Sequence, residues 1–533
     1  MTGFVLLAAI VILACVAFHR ISSRLGIPML LAFILLGMFF GSDGVVKIAF
    51  DDYAFAEQIC SVALIFIMFY GGFGTKWSEA KPVAVKAVVL SSLGTVLTAG
   101  FVGLFCRLAL RIAWLESFLI GAVISSTDAA SVFSILRSKR LNLKYNTASL
   151  LEVESGSNDP FSYMLTVIVL ALMGGGGGGS FGYMLFAQIV YGAAAGVGIA
   201  LLSLLALKKI KPAASSGFDA IFIVAVALLA YAVPAWFGGN GYLSAYITGI
   251  ILGNSRIPNK QALVNFFDGT TGLMQMLLFF LLGLLSYPSQ LPGVALTGLL
   301  VALFLTFVAR PVAVFAILTP FKSPVRQQLL VSWAGMRGAA SIVFAMMAVI
   351  NPAVTDNDIY HIVFFIVLFS ILLQGTLIPL LSKKLDMTDD ASDVMKTFTD
   401  YTEEVPVQFI RCRVSRSHPW VGRTLREITL PPESLLVLLI RGESKIVPNG
   451  ATELCADDEL ILSGKVTGQI DGVHLFERTL NHGDEWADRT LMDIPSGEQL
   501  IIMVRRGGNV LIPKGKTVLR EGDVLVINEP TGA

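Results

Sequence analysis

Leu151-Glu152-Val153-Glu154-Ser155-Gly156-Ser157-Asn158-Asp159-Pro160 sets three carboxylates and an amide inside an otherwise apolar stretch, 147–173. Crossing ~30 Å of hydrocarbon takes about 20 residues in a helix, so 147–173 reads as a membrane span carrying buried charge. An ionisable group at that depth is costly and marks a functional site by default. Ser155 and Asp159 are four apart, as are Glu154 and Asn158, so the pairs form adjacent stripes ~100° apart on one helix. The first stripe joins a carboxylate to a hydroxyl, oxygen chemistry suited to a hard monovalent cation or a proton. The second joins a carboxylate to an amide and calls for a cationic partner, for which Arg337 is expected, being always charged and able to fork onto a carboxylate. Asp159, beside Pro160, also reads as a helix-start acid near the cytoplasmic face. Glu152 reads as a solvated charge on the loop side.

Working outward, thirteen segments qualify as spans: 3–19, 27–42, 57–75, 83–106, 113–136, 147–173, 182–207, 217–237, 241–253, 263–286, 292–318, 326–350 and 359–382. Segments 27–42 and 241–253 are short for a simple crossing. The fifth holds Ser125-Ser126-Thr127-Asp128, whose small polar side chains compete for the backbone and predict an interrupted helix; Asp128 reads equally as a cap for its second half. Gly335-Met336-Arg337-Gly338 predicts a second interruption in the twelfth, the pairing expected of inverted repeats. Arg310-Pro311 reads as either a core ion pair or a kink. Asp219 and Asp268 read as ordinary charges at span starts, and His19 and His361 as structural residues at span ends. With the N-terminus outside, the cytoplasmic loops carry 18 Lys and Arg and the opposite loops three, Lys47, Arg107 and Arg111; positive charge stays on the cytoplasmic side. The odd number of spans then puts the tail in the cytoplasm.

Composition agrees with that division. Of 533 residues 55% are hydrophobic and only 14% charged, against roughly 25% charged in soluble domains. The net charge of +1 conceals +9 over 1–385 and −8 over 386–533. An acidic tail without a basic patch excludes nucleic acid as a partner. Five scattered cysteines supply neither a disulfide framework nor a zinc site. The tail repeats itself: Val421-Gly-Arg-Thr-Leu425 returns as Ala487-Asp-Arg-Thr-Leu491, and Asp458-Glu-Leu-Ile-Leu462 as Asp523-Val-Leu-Val-Ile527. Each unit reads as a short helix followed by strands joined at Gly turns. The expected architecture is an all-α polytopic membrane protein, 1–385, with about 13 transmembrane helices and two interrupted ones. A linker, 386–405, and an α+β tail of two modules, 406–470 and 471–533, follow.

Thr127-Asp128, Glu154-Ser155 with Asn158-Asp159, and the Gly335–Ser341 motif around Arg337 together resemble monovalent cation:proton antiporters of the NhaP type. The tail repeats resemble TrkA-C (RCK-C) modules, a combination similar to bacterial NhaP-type potassium/proton antiporters. The resemblance implies an inner-membrane homodimer with a mobile core of the fourth to sixth and eleventh to thirteenth spans. It implies that Asp159 holds the cation and the proton in turn, that Ser155, Thr127 and Asp128 complete the ion's oxygen shell, and that Glu154, Asn158 and Arg337 support the core. The transported species would be K+, or Na+, and H+, with no cofactor. A small regulatory ligand is expected on 406–533. Sodium-selective relatives tend to carry an acid in the third span, where this chain reads Phe69-Tyr70-Gly71-Gly72, a departure favouring a larger ion. The alternatives are a Na+/H+ antiporter of the same mechanism and a ligand-gated cation channel; no TVGYG-like filter is present. An enzyme is not expected, since HExxH, GxSxG and Cys-His pairings are absent.

Overall fold

The computed structural model describes residues 6, 9–18, 29–139, 141–174, 181–209, 217–255, 257, 260–352, 356–389, 407–416, 418–431, 434–442, 444–465, 475–480, 484–494, 500–506, 509–511 and 513–528. His19 lies outside them. The chain divides into two compact units, Met1–Thr402 and Glu403–Ala533.

Each apolar segment of the first unit is helical: α1 Ala9–Phe18, α2 Met29–Phe40, α3 Tyr53–Gly74, α4 Ala84–Ala109, α5a Trp114–Val123 and α5b Ala129–Ser138, α6 Thr147–Met173, α7 Phe181–Lys209, α8 Gly217–Trp236, α9 Gly241–Gly253, α10 Lys260–Leu284, α11 Leu291–Leu318, α12a Val325–Trp333 and α12b Ala339–Ile350, and α13 Ile359–Lys384. Seven of the described helices are long and apolar enough to cross a membrane by length and composition alone. The fifth and twelfth segments are each broken, at 124–128 and 334–338.

Glycine explains how the two short helices are held. A Cβ at Gly72 of α3 would fall 2.2 Å from the Tyr246 carbonyl of α9, and one at Gly249 of α9 would fall 2.2 Å from the Phe69 carbonyl. The α2–α10 pair repeats this at Gly37 and Gly283, each about two ångströms from a facing carbonyl (2.2 Å from Phe280 and 2.1 Å from Ile34). Between helices in lipid the hydrophobic drive is absent, and such close backbone approach supplies the packing instead.

Among the described residues three helices contain a π-helical turn, Leu90–Gly94, Leu305–Ala309 and Ser370–Gly375. The second runs into Arg310-Pro311, where Pro311 opens the following helix and Arg310 is buried. Beyond α13 the chain folds back: Leu143 and Thr388 form a β-bridge, and the Asp389 N–H donates to the Asn142 carbonyl at 3.0 Å. Asp386 joins Lys144 at 2.9 Å and Arg326 at 3.0 Å. Residues 386–389, the start of the expected linker, are thus tied to the loop that leads into α6.

The second unit contains two antiparallel four-stranded sheets. β1 Val407–Arg413, β2 Ser434–Arg441, β3 Ser444–Ile446 and β4 Glu459–Lys465 lie in the order β1-β4-β2-β3; β5 Leu475–Thr479, β6 Leu500–Arg506, β7 Asn509–Leu511 and β8 Val524–Asn528 lie in the order β5-β8-β6-β7. Both carry a bulge at the same place, between Leu436 and Leu438 and between Ile501 and Met503. The helix expected to open each repeat is not formed among the described residues: Trp420–Gly422 and Glu485–Asp488 are turns, followed in the second repeat by one 3-10 turn, Leu491–Asp493. These segments are too short to close helical hydrogen bonds, and their backbone bonds go to the neighbouring loop instead, such as Leu425 N–H to Thr452 and Leu491 N–H to Thr517.

Candidate functional site

The two helix breaks cross. The Asp128 N–H donates to the Met336 carbonyl at 2.8 Å, and a Cβ on Gly338 would lie 2.2 Å from Asp128 Oδ2, so only glycine allows this approach. Arg337 Nη1 donates to the Ser125 carbonyl at 2.8 Å and the Ser126 carbonyl at 2.5 Å. A guanidinium thereby meets the negative end of half-helix α5a. The Arg337 N–H donates to Ser370 Oγ at 2.9 Å, Ser370 itself lying at the start of the π-turn of α13. Asp128 caps α5b by accepting from the Ser131 N–H at 3.1 Å and from the Ser131 hydroxyl, as its capping reading expects.

α6 passes beside this crossing. Asp159 accepts from the Ser126 hydroxyl. Ser155 Oγ donates to the Thr127 carbonyl at 2.8 Å, and Asn158 Nδ2 to Thr127 Oγ1 at 2.5 Å. Asp159 sits well inside α6 and is buried, so it is not a helix-start acid. Pro160 removes one helical donor; its own carbonyl accepts from Asn240 Nδ2 at 2.7 Å. Gly156 leaves room for the Tyr246 ring of α9, which a Cβ would meet at 2.3 Å.

A cavity of about 390 Å³ opens beside these groups. Ser126, Thr127, Asp128, Ser155 and Asp159 line it, together with Tyr70, Asp268, Thr271 and Gln275. The structure thus brings together Asp159, Ser155, Thr127 and Asp128 on one cavity wall, while Glu154, Asn158 and Arg337 are buried outside the lining.

Three expectations are corrected. Glu154 pairs with Arg310, not Arg337: Arg310 Nη2 lies 2.5 Å from Glu154 Oε1, both fully enclosed. Arg337 is taken up by the carbonyls of the α5 break. Glu152 is not solvated; it is buried, lines the cavity and accepts from Thr75 Oγ1 at 3.3 Å. Asp268 is more than a charge at a span start: exposed, about two turns inside α10, it lines the cavity and accepts from Tyr70 Oη at 3.2 Å. His361 has partners that the sequence hid: its Nε2 accepts from the Tyr287 N–H at 3.1 Å, and its Nδ1 lies 2.6 Å from Asp358.

Ser126 and the α10 stripe were missed by sequence reasoning. Asp268, Thr271 and Gln275 follow i, i+3, i+7 spacing along α10, a signal of one polar face. Ser126 offers no such signal beyond its place in a polar run.

A helical bundle in which two broken helices cross over buried carboxylates, beside an acid-lined cavity, defines a membrane ion transporter. The chain belongs to the sodium/hydrogen exchanger family, whose transmembrane domain it matches over residues 6–384; TrkA-C domains match at 409–469 and 475–527. It is 32% identical to the K(+)/H(+) antiporter NhaP of Alkalimonas amylolytica, over 82% of this chain and 77% of that protein. It is 32% identical to the K(+)/H(+) antiporter NhaP2 of Shewanella baltica, over 87% and 81%. The fold resembles that of the sodium proton antiporter MjNhaP1 from Methanocaldococcus jannaschii, with a TM-score of 0.63 at 24% identity, over 72% of this chain and 99% of that one.

Proposed function

We propose that the protein is a secondary antiporter, not an enzyme, exchanging a cytoplasmic monovalent cation, K+ in the first instance, for external H+. One observation carries the site assignment: Asp159, Ser155, Thr127 and Asp128 share one cavity wall at the crossing of the two helix breaks. Carboxylate, hydroxyl and loosened carbonyl oxygens suit a hard monovalent cation. In this reading Asp159 holds either the cation or a proton, and Ser126 and Ser155 orient the groups around it. The core exposes Asp159 alternately to the two sides, and exchange is one for one where Asp159 alone changes occupancy. Glu154–Arg310 and Arg337 hold α5, α6, α11 and α12 in register without touching the cation.

The inner membrane, a homodimer, an external N-terminus and a cytoplasmic tail belong to the same proposal, the orientation supported by the basic loops. So does regulation by a small ligand on the two tail modules, supported by the tie between residues 386–389 and the loop before α6. The Na+/H+ alternative shares every residue role.

Asp159→Asn tests the assignment. In everted vesicles with matched expression, the variant is expected to lose cation-dependent proton movement. Exchange at the wild-type rate would refute the role of Asp159.

A further inference from the structure

The cavity has a second set of polar groups that the exchange chemistry at Asp159 does not use. It is built by α10, whose residues Asp268, Thr271 and Gln275 line the cavity along one helix face. From Leu273 to Leu284 Gln275 is the one polar side chain of that helix. Tyr70, buried on α3, donates its hydroxyl to Asp268 Oδ1 at 3.2 Å and orients that carboxylate. Thr271 is the second observation. Its side chain is 93% buried, it lines the cavity, and its Oγ1 meets no protein partner. Unpartnered and enclosed, that hydroxyl is destabilising as it stands, a deficit that an ion held at the stripe would make good.

We propose that Asp268, Thr271 and Gln275 form a second station for the transported monovalent cation, a loading site in the cavity that Asp159 also lines. This rests on the antiport reading above. The donor set consists of one carboxylate, one hydroxyl and one carboxamide oxygen, all hard ligands of low total charge. Such a set draws in a partly hydrated cation without stripping it, which lets the ion move on to the tighter site; conduction through a pore needs the same balance of attraction and release. A carboxylate in a cleft with apolar walls also raises the local concentration of cations. The station sits on α3 and α10, outside the helices that carry Asp159 and the two breaks, so it supplies ions and leaves the exchange chemistry unchanged.

The experiment uses full-length protein in proteoliposomes, with cation-dependent proton movement measured over a range of KCl and, separately, NaCl. Asp268→Asn, of equal size, is expected to raise the KM for both cations by about fivefold while the maximal rate at saturating salt stays within a factor of about two. Asp268→Glu restores most of the affinity, and Thr271→Val shifts KM in the same direction by a smaller factor. The inference is overturned if Asp268→Asn and Thr271→Val both leave KM at the wild-type value. It is equally overturned if Asp268→Asn lowers only the maximal rate, the pattern of a structural residue. Wild type and Asp159→Asn in the same preparation separate the two readings: an inactive wild type, or an active Asp159→Asn, refutes the antiport assignment, whereas an unchanged KM in an active Asp268→Asn protein refutes the loading station alone.

Discussion

Glu154 and Arg310 are both fully enclosed, and each charge is tolerable only because of the other. Removing one partner of a buried pair leaves a naked charge and costs roughly 3–5 kcal/mol, whereas replacing both with neutral groups is often close to neutral. Arg310→Met is therefore expected to lower thermal stability in detergent by that amount, and Glu154→Gln/Arg310→Met to recover most of it. A double variant no more stable than the single would show that the pair is not the relevant interaction. The four residues proposed for the ion site, Asp159, Ser155, Thr127 and Asp128, stood out in the sequence because charged and polar groups inside apolar segments have few explanations. The partner of Glu154 was not legible, because Arg310 and Arg337 are both buried cations at comparable depth. Their assignment depends on which carbonyls the α5 break leaves open, a tertiary fact. Glu152 and Asp268 were misread for a related reason: distance from the segment end does not say which face meets the cavity.

Among elements, the crossed breaks control the geometry of the site. Gly338 allows the α12 break to lie against Asp128, and a methyl group there would overlap the carboxylate at 2.2 Å. Gly338→Ala is expected to displace Asp128 and slow exchange by roughly 100-fold, since a displacement of about 1 Å at a site can cost that much. Gly100→Ala, whose added Cβ meets nothing within 4 Å, serves as the control and should exchange at the wild-type rate. Equal rates for the two variants would deny the crossing a functional role. Both breaks were visible as polar or Gly-rich runs, but that they cross was not, because adjacency of two segments 200 residues apart leaves no local trace. The tail carries a pair of matching pins. In each sheet an arginine clasps a fully buried aspartate, Arg441 with Asp458 at 2.8 Å and Arg506 Nε with Asp523 at 2.7 Å. Burial pushes Asp458 up, but the Arg441 guanidinium and the Cys455 N–H outweigh it and hold the carboxyl below its ordinary value. Asp523 is held low by Arg506, against burial and with help from the Arg520 N–H. A carboxylate whose value is lower in the folded than in the unfolded chain stabilises the fold above the unfolded value and loses that contribution as pH falls through the folded one. Hydrogen exchange of the tail in the full-length protein should therefore accelerate below about pH 4. Asp458→Asn/Asp523→Asn should exchange faster at pH 7 and respond less to acid, and an unchanged acid response would contradict the pins.

Over the whole molecule, the proposed exchange reduces to a single carboxylate serving two ions that exclude each other. The helical bundle places Asp159 and the α10 stripe on the lining of one cavity. The bundle itself was legible in hydropathy and loop charge, because about 20 apolar residues admit few other fates. The most direct test is the apparent cation affinity of the reconstituted wild-type protein as a function of pH, at saturating and subsaturating salt. Competition at one site predicts that KM for the cation rises toward tenfold per pH unit on the acid side, with the maximal rate at saturating cation unchanged. A KM independent of pH, or a maximal rate that falls in acid however much cation is supplied, would contradict it.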